Sequence, residues 1–262
     1  MSEKIVAIIQ ARMGSQRLPG KVTQDILGKP MLQRVVERVS GSVRVDQIVI
    51  ATTIDVADDP LEALGKALDV AVVRGHPHDV LDRYMRAARM YQADIIVRLT
   101  ADCPLLDAKV VDATIEALLE AEPRADLAVN RIPGDRTFPI GLDTEVCRFE
   151  ALDRAWQEAD QPYQREHVLP YLYEEPGRFH VVHYRYKEDC GDLRWTVDTP
   201  EDLEVVRAVY AAFAPREDFG WLEVLDYMRQ HPGIAAMNAG IRHKGFKDVD
   251  ERMEQVGMEE RE

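Results

Sequence analysis

Residues 5–21 read IVAIIQARMGSQRLPGK, and this stretch decides the fold. Ile5 to Ile9 is an unbroken apolar run, too short for a signal-peptide core or a membrane span and of the length of a strand buried on both faces. Glycines and cations follow at once, with Gly14 and Gly20 set among Arg12, Arg17 and Lys21. Glycine lets a backbone approach an anion closely, arginine supplies paired donors and lysine a point charge, so the loop suits a triphosphate. The alternative is a solvated basic loop. A Walker A match fails, because five residues separate Gly14 from Gly20 and Val22 stands where a magnesium-binding Ser or Thr is required.

Working outward, amphipathic stretches alternate with short apolar runs. PMLQRVVERV (30–39), DPLEALGKAL (59–68) and VLDRYMRAARMY (80–91) are interleaved with QIVIAT (47–52), VAVV (70–73) and DIIVRLT (94–100). Met31, Leu32, Val35, Val36 and Val39 recur at spacings of three and four, which predicts a helix packed on a sheet. The series is βαβ. It predicts an α/β fold whose mostly parallel sheet offers ligand sites at the carboxyl ends of its strands.

The pattern changes after Glu122. LDTEVCRF (142–149) and FHVVHYRY (179–186) alternate, predicting antiparallel strands at an edge or in a hairpin extension over about residues 125–187. A helical stretch is expected from Phe149 to Glu174. LRWTVDTPEDLEVVRAVYAAF (193–213) reads as a last strand, a turn and a helix with Thr199 as N-cap and Pro200 at its first position. No linker separates these parts, so one unit is expected over residues 1–243, followed by a charged tail over 244–262.

Composition narrows the function. A net charge of −14 in 262 residues argues against a general nucleic-acid or anionic-membrane binder, which needs a broad positive surface. Cys103, Cys147 and Cys190 are scattered and form no CxxC pair, which fits a reducing, cytoplasmic compartment and argues against a disulfide framework or zinc site. Two carboxylates stand out. Asp102, in RLTADCPLLD, and Asp198, in RWTVDTPEDL, each follow a β-rich run and could hold a Mg2+ ion that bridges phosphates. A turn or capping role is the alternative for each.

The loop QARMGSQRLPGK resembles the ARxxSxRLPGK loop of the sugar-acid cytidylyltransferases, the CMP-KDO synthetase-like family, and VDTPEDLEVVRA is similar to that family's DTPEDL segment. The resemblance is closer to its spore coat polysaccharide biosynthesis protein F group. IIQARMGSQRLPGK, VVRGHPHDVLDRYMRAA, VRLTADCPLLD, REHVLPYLYEEPGRF and LRWTVDTPEDL together carry it from Ile5 to about Val209. It implies a nucleotide-diphospho-sugar transferase, Rossmann-like fold, CTP as nucleotide, Mg2+, a sugar-acid acceptor, release of pyrophosphate, a place in surface or spore polysaccharide biosynthesis, and a homodimer.

Carried over by residue, the resemblance implies that Arg12, Ser15, Arg17 and Lys21 hold the phosphates with Ala11 and Gly14 beside them. Lys21, Arg12 and Arg17 would neutralise the developing charge, and Asp102 and Asp198 would bind the metal. Ala51, Thr52 and Thr53 would lie near the base. Arg74, Asp79, Arg83, Arg98, Asp143, Glu145 and His167 are acceptor candidates; the alternative for Arg83 and Arg98 is pairing with a neighbouring aspartate on the surface, and for Asp143 and Glu145 the polar face of an exposed strand. The sequence departs from the KDO pattern with ATTI in place of ATDD and TADCPL in place of QGDEPL. Two rival readings are a glycosyltransferase, whose usual Asp-x-Asp motif is absent near residue 102, and a non-catalytic nucleotide-sugar-binding protein, against which both carboxylates and the loop cations speak.

Overall fold

The run Ile5–Gln10 forms strand β1, and its period of two divides its side chains between two cores. Val6 and Ile8 enter one apolar cluster, and Ile5, Ala7 and Ile9 enter the other. A computed structural model describes residues 3–241, and the charged tail expected over 244–262 lies outside them.

After β1 come the two-stranded ribbon β2 (Asp25–Ile26) and β3 (Lys29–Pro30), helix α1 (Met31–Val39), β4 (Gln47–Thr53), α2 (Asp59–Ala67), β5 (Ala71–Gly75), α3 (Val80–Met90), β6 (Ile95–Thr100) and α4 (Ala108–Leu119). β1 pairs in parallel with β4 on one side and β6 on the other, and β4 pairs in parallel with β5. This is the βαβ series that the alternating pattern predicts. Leu32, Val35, Val36 and Val39 of α1 and Val111, Ile115 and Leu118 of α4 cover one face, and Leu81, Tyr84, Met85 and Ala88 of α3 cover the other.

The second half supplies β7 (Leu127–Val129), the hairpin β8 (Arg131–Ile132) and β9 (Asp135–Arg136), β10 (Glu145–Arg148), α5 (Phe149–Glu158), α6 (Pro162–His167), α7 (Pro170–Tyr173), β11 (Val181–His183), α8 (Pro200–Phe213), α9 (Trp221–Gln230) and α10 (Pro232–Ala236). The seven-stranded order is β11-β7-β10-β6-β1-β4-β5. β10 runs antiparallel to both neighbours, inside the sheet rather than at its edge, and all four of its residues are buried. β11 lies at the edge but parallel to β7.

The helical stretch over 149–174 is broken into three, because Pro162 and Pro170 each start a new helix at its first turn. The strand expected before Asp198 is corrected: around it the chain makes only the isolated bridge between Ile140 and Arg194. Thr199 does cap α8, in a reciprocal box with Asp202. A third apolar cluster joins α8 and α9 to Phe138, Leu142 and Trp195, so Trp195 is a core residue. Among the described residues no helix is long and apolar enough to cross a membrane.

The seam that carries Asp198 to the sheet edge depends on one glycine. Ile140 donates to the Leu193 carbonyl at 2.8 Å and Trp195 donates back to Ile140 at 2.7 Å. Gly141 sits at φ 111°, where a Cβ would stand 2.7 Å from the Thr196 amide nitrogen and the Trp195 carbonyl carbon. Gly141→Ala is therefore expected to cost about 1–3 kcal/mol, read as a lowered midpoint of thermal unfolding. An unchanged midpoint would show that the seam yields without cost.

Candidate active site

The cationic loop is anchored at its start by the sheet. Ala11 donates its N–H to the Ala51 carbonyl at 3.0 Å. Asp58, 2% exposed, accepts from the Met13 amide at 2.7 Å and from the amide and hydroxyl of Thr53. Gly20, at φ 69°, returns the chain so that its N–H meets the Met13 carbonyl at 2.9 Å. The next residue, Lys21, begins a short 3-10 turn and is buried.

Lys21 Nζ donates to Asp102 Oδ2, Asp198 Oδ1 and the Val197 carbonyl, each at 2.8 Å. Two carboxylates nearly a hundred residues apart thus meet on one ammonium. Arg17 reaches Asp198 Oδ2 at 2.9 Å and Arg194 reaches the same oxygen at 2.7 Å. Behind them Asp202, fully buried, pairs with Arg194 and accepts from the Asp198 and Thr199 amides. Asn238 closes the network by donating to Asp202 at 2.8 Å and to the Arg194 carbonyl at 3.0 Å.

Burial opposes the charge on Lys21, yet Asp102 and Asp198 outweigh it and raise its pKa. Burial likewise pushes Asp198 up, and Lys21, Arg17 and Arg194 overcome it, holding the carboxyl below its usual range. The signs agree in their consequence. Stability from Asp198 is present above the ordinary carboxylate range and is lost as pH falls through its lowered pKa; that from Lys21 is present below the ordinary lysine range and is lost as pH rises through its raised pKa. Both are fully expressed near neutrality.

Arg17, Lys21, Asp102 and Asp198 line a cleft of about 310 Å³ at the carboxyl edge of the sheet. Of the residues singled out from sequence, Ala11, Arg12, Gly14, Ser15, Arg17, Lys21, Arg83, Arg98, Asp102, Asp143, His167 and Asp198 line it. Six do not. Ala51, Thr52 and Thr53 are buried in β4, where Ala51 and Thr53 hold the loop from behind instead of facing a base. Arg74 is clamped on Asp59, Glu62 and the carbonyls of Thr53 and Asp55, away from the cleft. Asp79 caps α3 and pairs with Arg165. Glu145 is buried between Arg98 and Arg131, so the Arg98 guanidinium already has a carboxylate.

With the geometry in place, comparison with known proteins decides the family. Residues 6–228 match the cytidylyltransferase family model. The chain belongs to the cytidylyltransferase family. It is 33% identical to the spore coat polysaccharide biosynthesis protein SpsF of Bacillus subtilis, over 88% of this chain and 96% of that one. It is 30% identical to a 3-deoxy-manno-octulosonate cytidylyltransferase of Anaeromyxobacter dehalogenans, over 80% of this chain and 99% of the other. A solved cytidylyltransferase of Leptospira borgpetersenii is 34% identical and superposes with a TM-score of 0.86 over 92% of this chain and all of that one. The protein is accordingly a nucleotidyltransferase enzyme of this family.

In this cytidylyltransferase the sequence reading missed Arg131, Arg194, Asp202 and Asn238. Arg194 and Asp202 were legible in principle: they stand four residues either side of Asp198, in a segment already known to end at a cap. Asn238 carries no local signal, and Arg131 declares itself only where Asp143 and Glu145 converge on it at 3.3 and 3.9 Å.

The donor set suits a hard divalent cation in part. Asp102 and Asp198 offer carboxylate oxygens to one point, and Mg2+ is commonly held by one or two carboxylates with phosphates and waters completing its shell. Among the described residues no group of three or more His, Cys, Asp or Glu is placed to hold a metal, so phosphate oxygens would have to contribute. Lys21 stands between the two carboxylates. Lys21→Met is expected to destabilise the protein by about 3–5 kcal/mol by leaving buried carboxylates unpaired, and millimolar Mg2+ should restore much of the lost thermal midpoint. The parent should respond less to Mg2+ alone. Equal response in both proteins would show that the carboxylates do not share a cation.

Proposed function

We propose that this cytidylyltransferase moves CMP from CTP to a sugar acid with release of pyrophosphate, in the cytoplasm, as a homodimer, and in the service of polysaccharide assembly. The observation that carries the reading is the Lys21 ammonium held by Asp102 and Asp198 at the end of the cationic loop. The names of the SpsF and 3-deoxy-manno-octulosonate relatives support the polysaccharide setting and the acceptor class.

The chemistry is a displacement at phosphorus. A hydroxyl oxygen of the acceptor forms a bond to the α-phosphorus, the bond to the bridging oxygen breaks, pyrophosphate leaves with that electron pair, and the hydroxyl proton passes to water. Lys21, Arg12 and Arg17 neutralise the phosphates, and little covalent work is asked of the protein. Mg2+, held by Asp102 and Asp198, would polarise the phosphate oxygens.

Charge explains why a cation is called for. Lys21, Arg17 and Arg194 are matched by Asp102, Asp198 and Asp202, so this cluster is neutral as it stands. A triphosphate needs further positive charge there. Asp102→Asn and Asp198→Asn should each lower the rate of pyrophosphate release from CTP and 3-deoxy-manno-octulosonate by at least roughly 100-fold, and the double variant should be little worse, because both act on one centre. Multiplying effects would refute a shared role, and release that is indifferent to the nucleotide's base would refute CTP.

A further inference from the structure

Beyond α9 the chain buries a polar side chain and exposes an apolar one. Among the described residues from His231 onward Asn238 alone is buried, at 3% exposure, while its neighbour Met237 is 46% exposed. Ile234 and Ala235 of α10 pack on the third apolar cluster and bring the chain to this point. The Ile241 amide then donates to the Asn238 carbonyl at 3.0 Å and closes a turn behind it. Burying a carboxamide is costly unless its polar atoms are bonded, so the bonds of Asn238 are the reason for its burial.

Those bonds lead to the cleft. Asn238 Nδ2 donates to Asp202 Oδ1 at 2.8 Å and to the Arg194 carbonyl at 3.0 Å. Both partners can only accept, so the amino end of the carboxamide has to face them. Asp202, fully buried, also takes Arg194 Nε at 2.9 Å and Nη2 at 3.1 Å, and the amides of Asp198 and Thr199 at 2.9 and 3.1 Å. The same Nη2 donates to Asp198 Oδ2 at 2.7 Å, so Arg194 is divided between two carboxylates. The two amides are held by the start of α8. The group able to answer the loss of a donor at Asp202 is therefore the guanidinium, by moving toward Asp202 and away from Asp198.

We propose that Asn238 is a positioning residue for the reaction: it sets how Arg194 is divided between Asp202 and Asp198, and through Arg194 the direction in which the Asp198 carboxylate enters the cleft. The proposal rests on the role given to Asp198 in the preceding section. Asn238 touches neither substrate nor cation in this account, and acts only through the ion pair of Arg194 with Asp198.

Asn238→Ala removes both donors and leaves every cleft side chain in place. With saturating CTP, 3-deoxy-manno-octulosonate and Mg2+, pyrophosphate release should fall roughly 10- to 100-fold, as for a reacting group displaced by about 1 Å. In an Asp198→Asn background the same substitution should change the rate by less than about twofold, because its effect passes through Asp198. An equal fold-loss in both backgrounds, or no loss in either, overturns the proposal and leaves Asn238 a brace of the fold at large. Thermal unfolding gives a reading independent of turnover. The rise in midpoint on adding Mg2+ to the CTP-bound protein should be smaller in Asn238→Ala than in the parent by at least about 2 °C. Equal rises, or no rise in the parent, overturn the proposal as well. Should Asn238→Ala fail to fold, Asn238→Ser, which keeps one donor, is read in the same cycle against the same outcomes. Pyrophosphate release by the parent stands under each of these results, and its absence alone would sink the enzymatic reading.

Discussion

The Lys21 ammonium, held by one carboxylate from each half of the chain, is the interaction on which the rest of the site depends. It ties the loop after β1 to Asp102 beyond β6 and to Asp198 before α8. An ammonium so placed replaces its lost hydration only where its partners are held in position. Asp198 is fixed by Arg194, Arg194 by Asp202, and Asp202 by Asn238 and by the amides that open α8. The helix cap and the active-site support are therefore one structure. The residues matched to the family model end at 228, so Asn238 reaches the site from beyond that span.

Much of the fold was legible in the sequence because it follows from local patterns. Apolar runs of strand length, helical spacing in α1 and the Thr199–Pro200 start of α8 each specify their element within a few residues. What was not legible depended on pairing across the chain. LDTEVCRF announces a strand, but nothing within it says that it inserts between β6 and β7. The run before Asp198 has strand-like composition, yet it threads against Gly141 and finds only one bridge.

The site divides in the same way. Arg12, Arg17, Lys21 and Asp102 share a cleft because they follow the ends of β1 and β6, which sequence can locate, and Asp198 joins them from a segment that forms no strand. Arg74, Asp79 and Glu145 looked equally eligible and are spent on internal partners. A charged residue near a strand end can be a ligand or a brace, and only its partners decide. His167 is placed by a different device: Val168, a buried β-branched residue at φ 74°, turns the chain sharply where α6 ends. A conformation that costs about 1–3 kcal/mol persists only where the surroundings over-determine it, and here it fixes the direction of Glu166 and His167 at the wall of the cleft.

A protein of net charge −14 that takes an anionic nucleotide must concentrate positive charge where its surface as a whole would repel the ligand. The cleft does so with six cationic side chains against four carboxylates. Five of the six are arginines, which stay protonated under burial that would neutralise a lysine, and the single lysine is the one with two carboxylates to hold its proton. Charge is thus kept at both ends of the cleft by different means, pairing at Lys21 and an intrinsically basic guanidinium at Arg83.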